Sequence, residues 1–176
     1  LQTLRNFFDF LVLQSEIPQN PVRSIPTSPK FLDIPKPTSF KNLKKLWSNI
    51  LEEIDQSEGL QKVIAYRNLI TILLIYKGGL KVSDLSYLKQ NHIFSGKKPR
   101  VMLTPPKRDP FSIPLPPEFN NFLIKYLDLL KIEIDKQGIE FEEVLFNANP
   151  YKILSGGLSA RGIEIIFKEY SEKLKI

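Results

Sequence analysis

The chain has 176 residues, 42% of them hydrophobic and 25% charged, with no cysteine and one histidine. That composition is globular rather than disordered, and it excludes a disulfide framework, a cysteine zinc site and a histidine-based metal centre. A net charge of +6 points to a polyanionic partner only where the charge is clustered.

Leu1, Leu4, Phe7, Phe8, Leu11 and Val12 fall at helical spacing, so the chain opens on an amphipathic helix without a basic leader or a small-residue cleavage site. Nothing precedes this helix for it to pack against, and it reads as the tail of a further domain. Pro18, Pro21, Pro26, Pro29, Pro35 and Pro37 then remove amide donors and disfavour helix at each preceding residue, which predicts an extended, semi-rigid linker. Thr38 and Ser39 are candidate caps for a helix whose apolar stripe is Leu43, Leu46, Trp47, Ile50, Leu51 and Ile54. Its other face carries Lys41, Lys44 and Lys45.

A second helix, about Leu60 to Lys77, is apolar around most of its circumference from Leu69 onward and is expected at the centre of the core. The run Leu69 to Tyr76, interrupted by Thr71, is too short to span a bilayer. The helix breaks at Gly78-Gly79, Lys81 follows, and Ser83 is read as the cap of a short helix reaching about Gln90. Crowded prolines between Pro99 and Pro117 exclude helix there. They predict a strand Arg100–Thr104, a turn Pro105–Pro110 and an antiparallel partner Phe111–Leu115. Glu118 to about Gln137 is a long helix, Val144–Phe146 a short extended piece, Ser155–Leu158 a loop, and Ser159 the cap of a final helix.

The charge is clustered. No acid lies between Leu85 and Arg108, where Lys89, Lys97, Lys98, Arg100, Lys107 and Arg108 all fall, and Lys30, Lys36, Lys41, Lys44 and Lys45 are opposed only by Asp33. Glu133, Asp135, Glu140, Glu142 and Glu143 form an acidic stretch elsewhere. One nucleic-acid face and one solvent face are expected.

The segment Tyr76-Lys77-Gly78-Gly79-Leu80-Lys81-Val82-Ser83-Asp84-Leu85 resembles the first active-site box of the tyrosine recombinases. That box reads roughly Thr-Gly-Leu-Arg-hydrophobe-Ser-Glu-Leu, and its arginine grips the phosphate at which DNA is cut. The order of elements, ending in Leu158-Ser159-Ala160-Arg161-Gly162-Ile163, is similar to the Xer type, and in sequence style most to the single-recombinase XerH type. The resemblance covers essentially the whole chain, although only the first box is a sharp motif.

It implies an α+β, predominantly helical fold: the first part of a catalytic domain (residues 41–176) with a small antiparallel sheet, a proline-rich linker (17–40), and the end of a helical core-binding domain (1–16). Lys81 matches the arginine position. Lys107, with Arg108 competing, matches the family's strand-turn lysine. His92 is followed by Ile93, Phe94 and Ser95, so it is not the family's His-x-x-Arg, and a turn or capping role suits it better. Tyr66, Tyr76, Tyr87, Tyr126, Tyr151 and Tyr170 all precede the place where the nucleophile's box should stand. The sequence is therefore expected to be a fragment, inactive in cleavage as it stands.

The implied activity is site-specific recombination through a 3′-phosphotyrosyl intermediate, without metal or cofactor, by a cytoplasmic homo-tetramer holding two DNA duplexes. For a Xer type the implied role is chromosome dimer resolution at a dif-like site, serving chromosome partition at cell division. Mobile-element integration, a non-catalytic DNA-binding protein of the same fold, and a helical protein-interaction module are the rivals. The expected DNA contacts are Lys30, Lys36, Lys44, Lys45, Lys97, Lys98, Arg100, Arg108, and Ser159 with Arg161 at a helix N-terminus, where free amides favour phosphate.

Overall fold

A computed structural model describes residues 2–25, 38–105 and 109–176. The predicted positions Lys30, Lys36, Lys107 and Arg108, and linker prolines Pro26, Pro29, Pro35 and Pro37, lie outside the described residues. The chain divides into two compact units, 1–38 and 39–176.

In the first unit, helix α1 (Gln2–Leu13) is followed by turns. Asn20 fastens them to the helix, its amide donating to the Arg5 carbonyl (2.9 Å) and to Asp9 Oδ1 (2.8 Å). Arg23 forms a two-point pair with Asp9 (3.0 and 2.9 Å), which holds the Asp9 carboxyl below its ordinary pKa. Leu4, Phe7, Phe10 and Leu13 remain exposed.

The second unit is built on α2 (Phe40–Gln56), α3 (Gly59–Ile72), α5 (Phe119–Gln137) and α6 (Ala160–Leu174). The expected cap Ser39 accepts from the Asn42 amide, and Ser159 accepts from Gly162. Helix α3 is the central one, burying every residue from Ala65 to Ile72. Arg67 and Asn68 are included in that run, so their polar atoms need internal partners. Tyr126 and Phe119 of α5, Ile50 of α2 and Ile163 of α6 complete the fully buried layer around it.

A three-stranded antiparallel sheet runs in the order β1 (Ile93–Phe94), β2 (Arg100–Leu103), β3 (Phe111–Pro114), with Arg100 opposite Pro114 and Leu103 opposite Phe111. The predicted hairpin is present, and β1 adds an edge strand. A second hairpin pairs β4 (Phe146–Ala148) with β5 (Leu154–Gly156).

Three local expectations are corrected. The loop expected at Ser155–Leu158 begins instead as strand β5, because Ser155 pairs with Asn147 and Gly156 with Phe146. The helix expected from Ser83 to Gln90 shrinks to α4 (Val82–Leu85), capped by the Lys81 backbone, with Ser83 inside it. The backbone after it turns to partners distant in sequence: Val144 donates to Leu88 (2.9 Å) and Gln90 to Glu142 (2.8 Å), so Leu88–Gln90 runs along residues 142–144. Lastly, α3 does not run regularly to Lys77. Its last five residues, Leu73–Lys77, form a π-helical turn.

Candidate functional site

The π turn delivers the chain to the glycine break. Gly78 donates to the Leu73 carbonyl (3.1 Å), Gly79 to Ile75 (3.0 Å) and Leu80 to Leu74 (3.1 Å), so the helix end is closed by backbone bonds. Gly79 adopts φ +66°, a left-handed conformation that favours glycine. Gly78 is required for a different reason: a Cβ there would stand 2.6 Å from the Leu74 oxygen, 2.7 Å from Leu80 Cδ1 and 3.1 Å from Leu115 Cδ2.

The contact with Leu115 links two parts of the predicted site. Leu115 directly follows β3, and its amide donates to the Pro99 carbonyl just before β2 (2.8 Å), which closes the base of the hairpin. The glycine break and the hairpin base are therefore packed together. Leu80 is buried beside them, and Lys81 follows as an exposed, extended residue that starts α4 without an ion pair to any described residue. The turn that carries Lys107 and Arg108 lies beyond the described ends of the hairpin.

Along β2 the side chains alternate, Val101 and Leu103 inward, Arg100 and Met102 outward. Arg100 lies over the exposed Phe94 ring of β1, 5.1 Å from its centroid. The preceding turn presents Lys97 and Lys98 to solvent and is fixed to α5 by Asn120, which donates to the Gly96 carbonyl (2.6 Å) and accepts from its amide (3.4 Å). These three cations thus stand on one pinned turn and the strand that leaves it.

The remaining predicted contacts are dispersed. The Ser159 hydroxyl is engaged as the α6 cap, and Arg161, exposed, lies 3.5 Å from Glu164. Lys45 donates to the Leu174 carbonyl at the end of α6, while Lys44 lines an apolar groove. His92 Nδ1 accepts from the Lys89 amide (3.4 Å), the capping role expected of it.

The sequence reading missed the most constrained cation. Arg67 is buried, donates to Asn68 Oδ1 and the Phe146 carbonyl, and lies 5.0 Å from the centre of the Phe146 ring. Burial lowers its pKa. Asn68 donates to the Tyr170 hydroxyl, which donates to Glu53, and Glu53 also accepts from Lys173. Tyr126 donates to the Val144 carbonyl, and burial raises the pKa of both phenols. A charged pair inside an otherwise apolar helix was the available signal. Among the described residues no group of His, Cys, Asp or Glu is placed to hold a metal ion, and no helix is long and apolar enough to cross a membrane.

No protein-family profile matches the chain. Over 170 residues it is 28% identical to tyrosine recombinase XerC of Rickettsia prowazekii (strain Madrid E), an alignment covering 87% of this chain and 50% of that protein. The crystal structure of XerA recombinase superposes with a TM-score of 0.57 over 98% of this chain and 60% of that one, at 14% identity. The chain belongs with the tyrosine recombinases. The XerA likeness supplies the fold, and the XerC alignment supplies the kinship in sequence. Relative to the tyrosine recombinase XerC that it matches, the chain spans about half the length.

Proposed function

We propose that this chain is part of a site-specific recombinase that cleaves and rejoins duplex DNA through a 3′-phosphotyrosyl intermediate, with Lys81 directed at the phosphate that is cut. One observation carries the reading: an exposed cation, free of ion pairs to described residues, starts a helix beyond a glycine break that packs on the base of a cationic antiparallel hairpin.

The chemistry gives each group a task. A tyrosine oxygen attacks phosphorus, the P–O bond to the 5′-oxygen breaks, and that oxygen takes a proton as it leaves. Charge accumulates on the non-bridging oxygens, and a preorganised cation stabilises it. Lys81 supplies the charge without the two-point fork of arginine. Lys107, at the hairpin turn, is proposed as the general acid for the leaving oxygen. Lys97, Lys98 and Arg100 are proposed to hold the duplex backbone, together with Lys30, Lys36, Lys44, Arg108, Ser159 and Arg161. Lys45 is the weakest member of the set, its ammonium being engaged with α6. The kinship with XerC favours chromosome dimer resolution at a dif-like site, by a homo-tetramer on two duplexes in the cytoplasm, over mobile-element integration.

In the protein that contains this chain, Lys81→Arg should raise the rate of suicide-substrate cleavage by at least tenfold, while Lys81→Ala abolishes it. Equal rates for lysine and arginine would remove Lys81 from the site. A second reading, a DNA-binding protein without cleavage, is favoured by lysine at the arginine position. It predicts tight duplex binding with no covalent product from either form.

A further inference from the structure

A groove of about 370 Å³ opens between α2, the π turn and the start of α5. Leu43, Trp47, Leu73 and Phe122 form its apolar walls, with Tyr76 half-exposed at its mouth and Lys44, Lys77 and Glu118 among its lining residues. At the far end of α5 stands an apolar projection. The tip of the β4–β5 hairpin carries Tyr151, 85% exposed, and Ile153, 55% exposed. Exposed apolar side chains are common, but these two are held still. Asn149 accepts from the Lys152 and Ile153 amides through its carbonyl and side chain (both 2.9 Å). The Gln137 side chain clamps the loop from below, donating to Lys152 and accepting from Leu154 (both 3.0 Å). Lys152 has φ +63°, a strained conformation that the surrounding bonds maintain.

We propose that the Tyr151–Ile153 tip of one molecule docks in the Trp47–Phe122 groove of a second copy, forming a head-to-tail contact. Helix α5 sets the geometry. Phe122 lines the groove and Gln137 clamps the tip, so the two surfaces sit about 22 Å apart on one rigid rod and a molecule cannot fill its own groove. Two different surfaces that fit each other make a heterologous contact, which propagates into a ring or a filament rather than a closed pair. The tip is pre-ordered, so docking loses little loop entropy. Charge is complementary as well. Lys152 at the tip finds Glu118 at the groove, and Lys44 and Lys77 face the acidic stretch Glu140, Glu142 and Glu143, whose Glu143 carboxylate reaches Gly156 at the hairpin base. A contact of this size is weak on its own and is assigned to molecules brought together at high local concentration.

The absence of cysteine makes the test clean. Tyr151→Cys protein is mixed with Phe40→Cys protein, whose new thiol lies at the exposed groove mouth, and oxidised. A parallel mixture uses Ile124→Cys, exposed elsewhere on α5. The first mixture should give several-fold more disulfide dimer than the second, and adding Lys77→Glu to the Phe40→Cys protein should reduce that excess. Trp47, the sole tryptophan, should change emission with protein concentration, and Tyr151→Asp should remove the change. Equal cross-linking in the two mixtures overturns the proposal, including the case in which another protein occupies the groove. Both readouts are taken without DNA and stand apart from the cleavage assay.

Discussion

Gly78 and Gly79 look alike in sequence and are needed for different reasons. Replacing Gly79 forces an alanine into the left-handed region, a cost of about 1–2 kcal/mol. Replacing Gly78 drives a methyl group into the Leu74 carbonyl and Leu80, and overpacking of this kind costs roughly 1–3 kcal/mol. In urea unfolding, Gly78→Ala should also disturb the hairpin, with faster amide exchange at Leu115, whereas Gly79→Ala should leave that amide unchanged. Identical exchange in both would separate the break from the hairpin base. A helix stop was legible in the sequence because paired glycines after an apolar run carry that signal locally. The steric role of Gly78 was not, because Leu115 is far along the chain. For the same reason Ser83 was misread as a cap: its residue type suits one, but the chain has already turned into the helix at Lys81.

Among the elements, the Arg67–Asn68–Tyr170–Glu53–Lys173 network joins α2, α3 and α6, and Arg67 extends it to β4. Tyr170→Phe removes the group between Asn68 and Glu53 and should cost about 1–3 kcal/mol in unfolding free energy. The network also gives stability a defined pH dependence. The folded-state pKa values of Tyr126 and Tyr170 are raised above the unfolded value of about 10, so the fold binds protons that the unfolded chain has released. Their contribution is complete below about pH 10 and is lost as pH climbs past it toward the folded pKa values. Melting temperature should therefore fall across that alkaline range, more gently in the Tyr126→Phe/Tyr170→Phe double variant. An unchanged slope would show that other groups dominate. Helices with strong apolar stripes, such as α2 and α5, were readable from periodicity. The short strands were not: β1 has two residues, and β5 exists only because β4 lies across from it. Likewise α4 ends where residues 142–144 offer the backbone better partners.

At the scale of the whole molecule, the basic and acidic runs foreseen from sequence occupy different elements. Lys97, Lys98 and Arg100 sit on the turn and strand pinned by Asn120, while Glu140 to Glu143 border the second hairpin. If the first group grips phosphates, the triple alanine variant should reduce the salt dependence of duplex binding by roughly 2–3 in the log–log slope. An unchanged slope would place all three off the DNA. The charge clusters could be foreseen because they are a property of composition along the chain, and the groove could not, because Trp47, Leu73 and Phe122 meet only after folding. The π turn at Leu73–Lys77 has one more consequence. Such a turn accommodates a surplus residue, so deleting one of its five would let α3 continue regularly and rotate everything beyond by about 100°. The buried helix would survive, but the ammonium of Lys81 would swing away from its target. The bearing of that side chain is thus written in the length of the segment, and a protein that tolerates many replacements there should tolerate no deletion.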